Sequence, residues 1–471
     1  MRKNSFIQGA LILTIAGIIV KFIGAFSRIY LSRLLGGEGI GLYQMADPIY
    51  LLCLSVSSAG LPVAISIMVA ERNAVNDYFG GQKVFRISMI ALIMTGVLFS
   101  GLLFFGAQWL VDTGIVRDQR AYWSLLALSP AVFCATLLAT LRGYFQGLQL
   151  MTPTAVSQIL EQVVRVVTMI AFAVILLPYG LEFGAAGATL GAAPGAFMGI
   201  LVLIGFYYMT RNWRKELASE QDTSIKPQSA MSIIKRLLVL AIPVSLANIM
   251  LPIVSNIDLL IVPRRLEVAG FAVEEATTLF GYLTGMATAL VNMPTIVTAS
   301  LAASLVPVIS EAIAQKKDDV VMTRTDTAMR LANLITIPAF IGMCVIATPI
   351  SDMLYATRDA GPCIAVMSFG VFLLGVQQVT TGVLQGMGKT AIPFLNMVVS
   401  ACVKVFLSWN LTAIHVLITI PICHDIRSIL GISLFEFEDT FFDRLTQVCL
   451  VIPGVGDDVI HHPLSLILIT M

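Results

Sequence analysis

The chain has 471 residues, of which 57% are hydrophobic and only 12% are charged. Soluble globular proteins carry about 25% charged residues, so this composition, with a mean hydropathy of +0.89, excludes a soluble enzyme, a nucleic-acid binder and a secreted module. The formal net charge of +1 gives no excess charge that would attract a polyanionic partner. We therefore predict an all-α polytopic membrane protein.

Apolar runs recur along almost the whole chain, and a membrane-spanning helix needs about 20 such residues. We identify eleven runs, which predict eleven or twelve spans, over residues 6–35, 40–70, 85–111, 122–141, 152–177, 185–209, 237–261, 277–309, 331–350, 363–384 and 392–411. The first run contains Lys21 and Arg28 and lacks a small-residue cleavage site, so we expect an uncleaved helix rather than a signal peptide.

The distribution of Lys and Arg between the runs predicts the orientation in the membrane. If the N-terminus is cytoplasmic, 17 of these cations fall on the inner side and five on the outer side, as the positive-inside rule requires. The longest polar stretch between runs divides the chain. We predict an N-terminal bundle (residues 1–210), a basic cytoplasmic linker (211–236), a C-terminal bundle (237–414) and an atypical tail (415–471).

The two bundles share short motifs. Gly143-Tyr-Phe-Gln146-Gly147 is matched by Gly382-Val-Leu-Gln385-Gly386 at an offset of 239, and Leu61–Ser66 is echoed by Val306–Ser310 at an offset of about 245. Because each half holds an even number of runs, a duplication would produce parallel repeats, an arrangement that transporters use around a central site. We predict two bundles of six-helix type around a central cavity.

Ionisable residues inside the apolar runs are the candidates for a functional site, because each costs about 2.5–3.5 kcal/mol in the bilayer. Their positions are Lys21, Arg28, Arg33, Asp47, Glu161, Arg165, Asp258 and Lys404. Lys21 and Arg28 are seven residues apart, so two helical turns place them on one face. That face is expected to bind an anionic group, with Arg33, Arg165 and Lys404 as further substrate-binding cations.

Structural roles are the alternatives for the first-helix cations. Arg33 would then extend to the membrane interface, and Lys21 would pair with Asp47.

The remaining charged candidates also have two interpretations. Glu161 and Arg165 have the i,i+4 spacing of an intrahelical ion pair, which favours a structural role. Asp258 either binds a coupling cation or balances Arg28 across the cleft. Asp47, Glu161 and Asp258 are therefore predicted to act in ion coupling or in charge balance.

No enzyme motif occurs in the apolar part of the chain. It has no glycine-rich phosphate loop and no histidine before His415, and the seven cysteines are scattered singly, as small buried side chains are. We expect no catalytic residues, no metal and no cofactor.

Several motifs resemble the stage V sporulation protein B branch of the polysaccharide-biosynthesis transporters. These are relatives of MurJ-type lipid II flippases in the multidrug/oligosaccharidyl-lipid/polysaccharide exporter superfamily. The resemblance covers residues 5–411, and its motifs begin at Lys21, Ser27, Arg33, Gly39, Pro48, Gly60, Arg142, Ser157, Glu161 and Arg165. It implies two six-helix bundles around a cavity, and an undecaprenyl-diphosphate-linked sugar that moves from the inner to the outer leaflet.

The resemblance also assigns a role to the first helix. MurJ-type proteins use first-helix arginines in their cavity, and Arg28 and Arg33 occupy that helix here. Two positions depart from the family: Ser27-Arg28 stands where MurJ-type proteins have Arg-Asp, and Ile67 stands where a lysine is expected. The first departure bears on the lipid-linked substrate, and the second on a charge-based gate at the inner end.

Our main hypothesis is a flippase or exporter of a lipid-linked diphosphate sugar in the cell membrane, with the bilayer and a coupling ion as further partners and no nucleic acid. The alternative is a multidrug or cation antiporter of the same superfamily, which would favour acidic residues in its cavity. A membrane-embedded glycosyltransferase would need paired acids or histidines on large outer loops, and the loops here are short.

Residues 415–471 differ in character from the rest of the chain. This segment holds all four histidines, seven acids and two bases, so its formal charge is −5 against +6 for the preceding residues. A reading-frame change near Ile414 explains this abrupt change of character, and a genuine acidic domain is the alternative. Under the first interpretation the segment should pack poorly against the bundle.

Overall fold

The structure is a computed structural model that describes residues 6–58, 60–219, 228–389 and 391–412; the predicted tail, 415–471, lies outside the described residues. The described residues form helices α1 Phe6–Ser58, α2 Leu61–Ala74, α3 Tyr78–Asp112, α4 Tyr122–Gly147, α5 Met151–Leu176, α6 Leu181–Leu190, α7 Ala192–Met209, α8 Arg211–Ser219, α9 Ala230–Val268, α10 Val273–Phe280, α11 Thr288–Ala314, α12 Asp318–Val345, α13 Ala347–Tyr355, α14 Gly361–Met367, α15 Phe369–Gly386 and α16 Ala391–Leu411. The π-helical turn Gly281–Ala287 joins α10 to α11.

The helices confirm the predicted class, an all-α polytopic membrane protein. Within the described part of the chain, eight helical stretches are long and apolar enough to cross a membrane, and Leu395–Asn410 is a shorter apolar stretch. Most helices extend several residues beyond the predicted apolar runs, because the polar ends of a span continue the helix outside the hydrocarbon layer.

Helix α1 is a hairpin of two spans that turns at Gly36. A straight helix of 53 residues would be about 80 Å long, far more than the roughly 30 Å hydrocarbon core. Gly36 breaks the helix with φ 67° and ψ −175°, a conformation that glycine adopts without steric cost. We call residues 6–35 the first arm and residues 37–58 the second arm.

The helices assemble into an N-lobe (α1–α8) and a C-lobe (α9–α16). One hydrophobic cluster, which includes Phe145 and Leu203, combines N-lobe residues with Ile233 and Leu237 at the start of α9. Another belongs to the C-lobe and includes Ile309 and Val379. The largest cluster contains residues of both lobes, among them Met45 of the second arm. The lobes are therefore joined by a shared apolar core.

The predicted repeat is visible in matched helix contacts. A Cβ atom on Gly147 of α4 would lie 2.7 Å from Cβ of Val69 and 2.9 Å from the carbonyl oxygen of Ser66. A Cβ atom on Gly386 of α15 would lie at the same two distances from Ile309 and Val306 of α11. Gly386 lies 239 positions after Gly147, and Ile309 and Val306 lie 240 positions after Val69 and Ser66. The two lobes therefore repeat one packing pattern.

These contacts correct one detail of the sequence comparison. The echo between Leu61–Ser66 and Val306–Ser310 places Ser66 opposite Ser310 at an offset near 245. In the structure Ser66 corresponds to Val306, so the echo is out of register with the real repeat. The two segments differ in length, Pro62-Val-Ala-Ile-Ser66 against Pro307-Val-Ile-Ser310, so the letters alone do not fix the register and the contacts do.

A second matched contact joins the third and fourth spans of each lobe. In the N-lobe, Gly96 of α3 faces the side chain of Thr136 on α4. In the C-lobe, Thr336 of α12 faces Gly375 of α15, where a Cβ atom would lie 2.6 Å from the threonine methyl carbon. The small residue therefore lies on opposite helices in the two halves.

The lobes also approach each other closely through glycines on facing helices. Gly37 and Gly41 of the second arm lie against Gly281 and Gly285 of the π-helical turn, and a Cβ atom on Gly41 would collide with the backbone carbonyl of Thr277. Each pair has the Gly-x-x-x-Gly spacing that allows close helix contact. We call these four residues the glycine contact.

Candidate functional site

Three helical segments place charged and phenolic side chains in one cluster. The first arm of α1 contributes Arg28, and the second arm contributes Tyr43, Asp47 and Tyr50. The second-arm residues are separated by four and three positions, so they share one helix face. Helix α5 adds Glu161 and Arg165. We call these six residues the central cluster.

Glu161 is held by two arginines. Arg142 of α4 donates from Nη2 to Glu161 Oε2 at 2.7 Å, and its Nε donates to Ser157 Oγ at 3.1 Å. Arg165 Nη2 lies 3.4 Å from Glu161 Oε1. The predicted i,i+4 ion pair is therefore confirmed, but it is the weaker of two contacts because Arg142 holds the same carboxylate at shorter range.

Arg165 retains binding capacity after this pairing. Its Nε has no hydrogen-bond partner among the described residues, while its guanidinium also interacts with Tyr50 and with the charge of Asp47. The side chain lies deep among protein atoms, yet 31% of it is accessible. Arg165 therefore combines contacts within the protein with a side chain that is partly accessible.

Asp47 lies between two arginines from different helices. Arg28 and Arg165 both act electrostatically on its carboxylate, so the hairpin at Gly36 brings Arg28 back to the second arm. Arg28 also acts on Tyr355 of α13 in the C-lobe. The central cluster therefore lies where the two lobes meet.

The other two first-arm cations lie apart from this cluster. Lys21 is exposed. Arg33 is also exposed, and it donates from Nε to the carbonyl oxygen of Leu354 at 2.7 Å and from Nη2 to that of Met353. Arg33 thus joins the first arm to α13, and its predicted substrate-binding role stays a prediction.

Asp258 and Lys404 form an ion pair inside the C-lobe. Lys404 Nζ of α16 lies 2.5 Å from Asp258 Oδ2 of α9, and both residues are buried. Substrate binding by Lys404, or charge balance between Asp258 and Arg28, would require this ion pair to open. The structure brings together Arg28, Asp47, Glu161 and Arg165 of the eight candidates and places this pair elsewhere.

Sequence reasoning did not select four residues at or beside the cluster: Tyr43, Tyr50, Arg142 and Tyr355. Tyr43 and Tyr50 lie four and three positions from Asp47, a spacing that puts all three residues on one helix face. This spacing alone would have identified both tyrosines as neighbours of Asp47. Arg142 was counted as a loop cation because it follows an apolar run. Tyr355 carried no local signal, since its position depends on how the lobes meet.

The chemistry of the cluster suits an anionic ligand. Arg28, Arg142 and Arg165 face two carboxylates, and guanidinium groups form paired hydrogen bonds with phosphate oxygens. Among the described residues, no group of three or more His, Cys, Asp or Glu side chains could hold a metal ion.

Polar contacts between the lobes lie at both ends of the spans. Arg236 of α9 pairs with Glu71 of α2 at 2.7 Å, at the end opposite to the turn at Gly36, and the following contacts lie beside that turn. Arg117 donates from Nε to Glu267 Oε1 of α9 at 2.9 Å, and Thr277 of α10 donates to Asp118 Oδ2 at 3.0 Å. The hydrogen bonds that Arg117 donates to Glu267, together with the charge of that carboxylate, raise the pKa of the Arg117 guanidinium, which stays charged. Arg120 pairs with Asp118 at 2.8 Å and with Glu38 at 2.7 Å. We call this region the capped end.

Two family models match the chain. The polysaccharide biosynthesis protein model matches residues 6–313, and the MatE model matches residues 243–410. Stage V sporulation protein B of Bacillus subtilis (strain 168) is 34% identical over 407 residues, which are 86% of this chain and 77% of that protein. Lipid II flippase MurJ of the same organism is 25% identical, over 86% and 77% of the two chains.

Solved structures share the fold at low sequence identity. An inward-facing conformation of a multidrug resistance MATE family transporter of the MOP superfamily superposes with a TM-score of 0.70 at 15% identity, covering 91% of this chain and 94% of that chain. An outward-facing conformation from the same family superposes with a TM-score of 0.58 at 16% identity, covering 94% and 96%. The chain therefore belongs to the polysaccharide biosynthesis protein family.

Proposed function

We propose that the chain moves an undecaprenyl-diphosphate-linked sugar from the inner to the outer leaflet of the cell membrane. The observation that carries the proposal is the pair of arginines, Arg28 and Arg165, that face Asp47 at the lobe boundary. A diphosphate brings at least two negative charges, and charge attraction is far stronger in a low-dielectric cavity than in water. Arg165 Nε has no partner among the described residues, so it can donate to a phosphate oxygen.

The charge balance of the site favours an anion over a cation. Glu161 is neutralised by Arg142 and Arg165, which leaves Asp47 as the acidic group opposite Arg28. Asp47 would then hold the two arginines in place before the diphosphate arrives and would repel it during release. The similarity to stage V sporulation protein B and to MurJ supports the same substrate class.

The contacts between the lobes support alternating access. We infer that the lobes move against each other, because ion pairs join them at both ends of the spans, Arg117 with Glu267 at the capped end and Arg236 with Glu71 at the opposite end. The fold superposes with a TM-score of 0.70 on the inward-facing relative and of 0.58 on the outward-facing one. The 17 to 5 distribution of basic residues supports a cytoplasmic N-terminus. Residues 1–210 and 237–414 would be the moving bundles, and the linker 211–236 would contain α8 and the first turns of α9.

Complementation of a lipid II flippase depletion tests this function. The full chain is expected to support growth, and Arg28→Ala or Arg165→Ala is expected to abolish growth at normal expression. Arg358→Ala is the matched control, since Arg358 is exposed and pairs only at the surface with Asp352. Growth of a strain whose protein lacks both Arg28 and Arg165 would refute the assignment. It would also be refuted if the wild-type chain failed to complement both with its own tail and with a tail from the family.

The second candidate is a cation or multidrug antiporter, which the MatE match over residues 243–410 supports. In that case Asp47 would bind the cation and Arg28 would be dispensable. A drug-accumulation assay with a cationic dye separates the two functions. Export that Asp47→Asn abolishes and Arg28→Ala preserves would favour the antiporter, whereas no export by any form favours the flippase.

A further inference from the structure

Helix α16 carries a buried polar face. Asn396, Ser400, Lys404 and Ser408 follow one another at four-residue spacing, and each is at most 6% exposed. Polar groups inside a membrane span are costly unless they find partners within the protein. A regular polar face on an otherwise apolar helix therefore indicates a specific partner surface.

The partner surface is helix α9. Lys404 Nζ lies 2.5 Å from Asp258 Oδ2, and the side chains are only 3% and 11% exposed. Seven residues after Asp258, the guanidinium of Arg265 lies 5.2 Å from the ring centre of Trp409 on α16. The two helices thus lie side by side along the polar face, and the central cluster contributes no side chain to this ion pair.

The same polar face of α16 carries a buried hydroxyl group. Ser400, one turn before Lys404, is fully buried, and its Oγ has no hydrogen-bond partner among the described residues. Carboxylate and hydroxyl oxygens are ligands for hard cations. A buried carboxylate without a partner is strongly destabilising, so Asp258 needs a positive charge beside it. The ammonium group of Lys404 supplies that charge.

We propose that Asp258 forms a monovalent-cation site whose cation is the ammonium group of the chain's own Lys404. The C-lobe then reaches charge balance without an ion from solution. Removal of the ammonium group would leave a carboxylate whose side chain is 11% exposed, and a small cation such as Na⁺ would occupy the vacated position. The proposal concerns the C-lobe alone and does not depend on the substrate of the central cluster.

Thermal unfolding of the purified full-length protein in detergent tests this site without a transport assay. The wild type is compared with Lys404→Met in NaCl and in choline chloride at equal ionic strength. The wild-type midpoint should be the same in both salts. The variant should unfold earlier in choline, and Na⁺ should raise its midpoint by at least about 2 °C with saturation, as a bound ligand does.

Two matched variants identify the origin of the response. Lys404→Arg keeps the positive charge and should show no Na⁺ response. The double variant Asp258→Asn/Lys404→Met removes the carboxylate and should lose the Na⁺ response of the single variant. Wild-type stabilisation by Na⁺ that Asp258→Asn abolishes would overturn the proposal. So would a Lys404→Met protein that has the same midpoint in both salts or that folds in neither.

Discussion

At the scale of single residues, Glu161 and Arg142 control how much of Arg165 remains available for a ligand. Arg142 holds one oxygen of Glu161 at 2.7 Å, while Arg165 holds the other at 3.4 Å. If Arg142 is lost, the carboxylate has one cation left and should draw Arg165 closer. The availability of Arg165 therefore depends on a residue that does not itself belong to the central cluster.

We expect Arg142→Gln to lower transport strongly and to destabilise the protein by about 1–3 kcal/mol, the usual effect of breaking a partly buried charge-assisted hydrogen bond. The double variant Arg142→Gln/Glu161→Gln should recover much of both losses, because no unbalanced carboxylate remains. Complementation and thermal unfolding measure the two effects. Equal losses in the single and double variants would show that Arg142 acts independently of Glu161.

Much of the central cluster was predictable from one argument, the insertion cost of a charge in a span. That argument selected Arg28, Asp47, Glu161 and Arg165. It does not select tyrosines, since a phenol is inexpensive in a membrane helix, and Tyr43 and Tyr50 were missed for that reason. The insertion-cost argument also does not say which residues pair with each other. The ion pair of Asp258 with Lys404 could be found only from the relative position of α9 and α16.

At the scale of helices, the glycine contact sets how closely the lobes approach. A methyl group on Gly41 would meet the backbone carbonyl of Thr277, which cannot move without shifting α10. A methyl group on Gly17, in the first arm, would meet no atom within 4 Å. The two positions make a matched pair for substitution.

We expect Gly41→Ala to hold the second arm away from the π-helical turn, which should lower both transport and stability. Gly17→Ala should leave transport unchanged and stabilise the helix by up to about 1 kcal/mol, because alanine favours a helix over glycine. Growth complementation and thermal unfolding provide the comparison. Equal behaviour of the two variants would show that the lobes do not need this close approach.

Helix boundaries were predicted well where an apolar run has polar ends, as in α5 and α16. Hydropathy could not anticipate that residues 331–350 belong to two helices, since α12 begins at Asp318 and α13 is separate. The π-helical turn was equally hidden. It follows from the close contact with the second arm, which is a property of the assembled lobes and not of the local sequence.

At the scale of the whole molecule, the capped end joins the lobes through the ion pair of Arg117 with Glu267 and the hydrogen bond from Thr277 to Asp118. Partly exposed ion pairs are each worth about 1 kcal/mol or less. A change of that size shifts a two-state equilibrium about fivefold. The capped end can therefore hold the lobes closed without preventing them from opening.

Charge reversal tests this closure. Arg117→Glu should repel Glu267 and reduce transport, and the exchanged pair Arg117→Glu/Glu267→Arg should restore much of it. Complementation at matched expression reports the effect. A double variant as defective as the single one would show that Arg117 acts through some other contact.

The orientation of the molecule is open to direct labelling. In a cysteine-free background, a cysteine that replaces Asp112 should react with an impermeant thiol reagent in intact cells. A cysteine that replaces Asn76, in the turn after α2, should react only after the membrane is permeabilised. The reverse pattern would place the N-terminus outside and would invert the proposed direction of transport.

The reversed contact between Gly96 and Thr136, with Thr336 and Gly375 as its counterpart, bears on the history of the two halves. Each half pairs one glycine with one threonine, so the summed volume of the two side chains is the same. The threonine lies on the fourth span of the N-lobe and on the third span of the C-lobe. The pair has therefore changed as a unit. A hybrid lobe that took α12 in place of α3 would set two threonines against each other, and one that took α15 in place of α4 would leave two glycines facing a void. Only an exchange of both helices together preserves the fit.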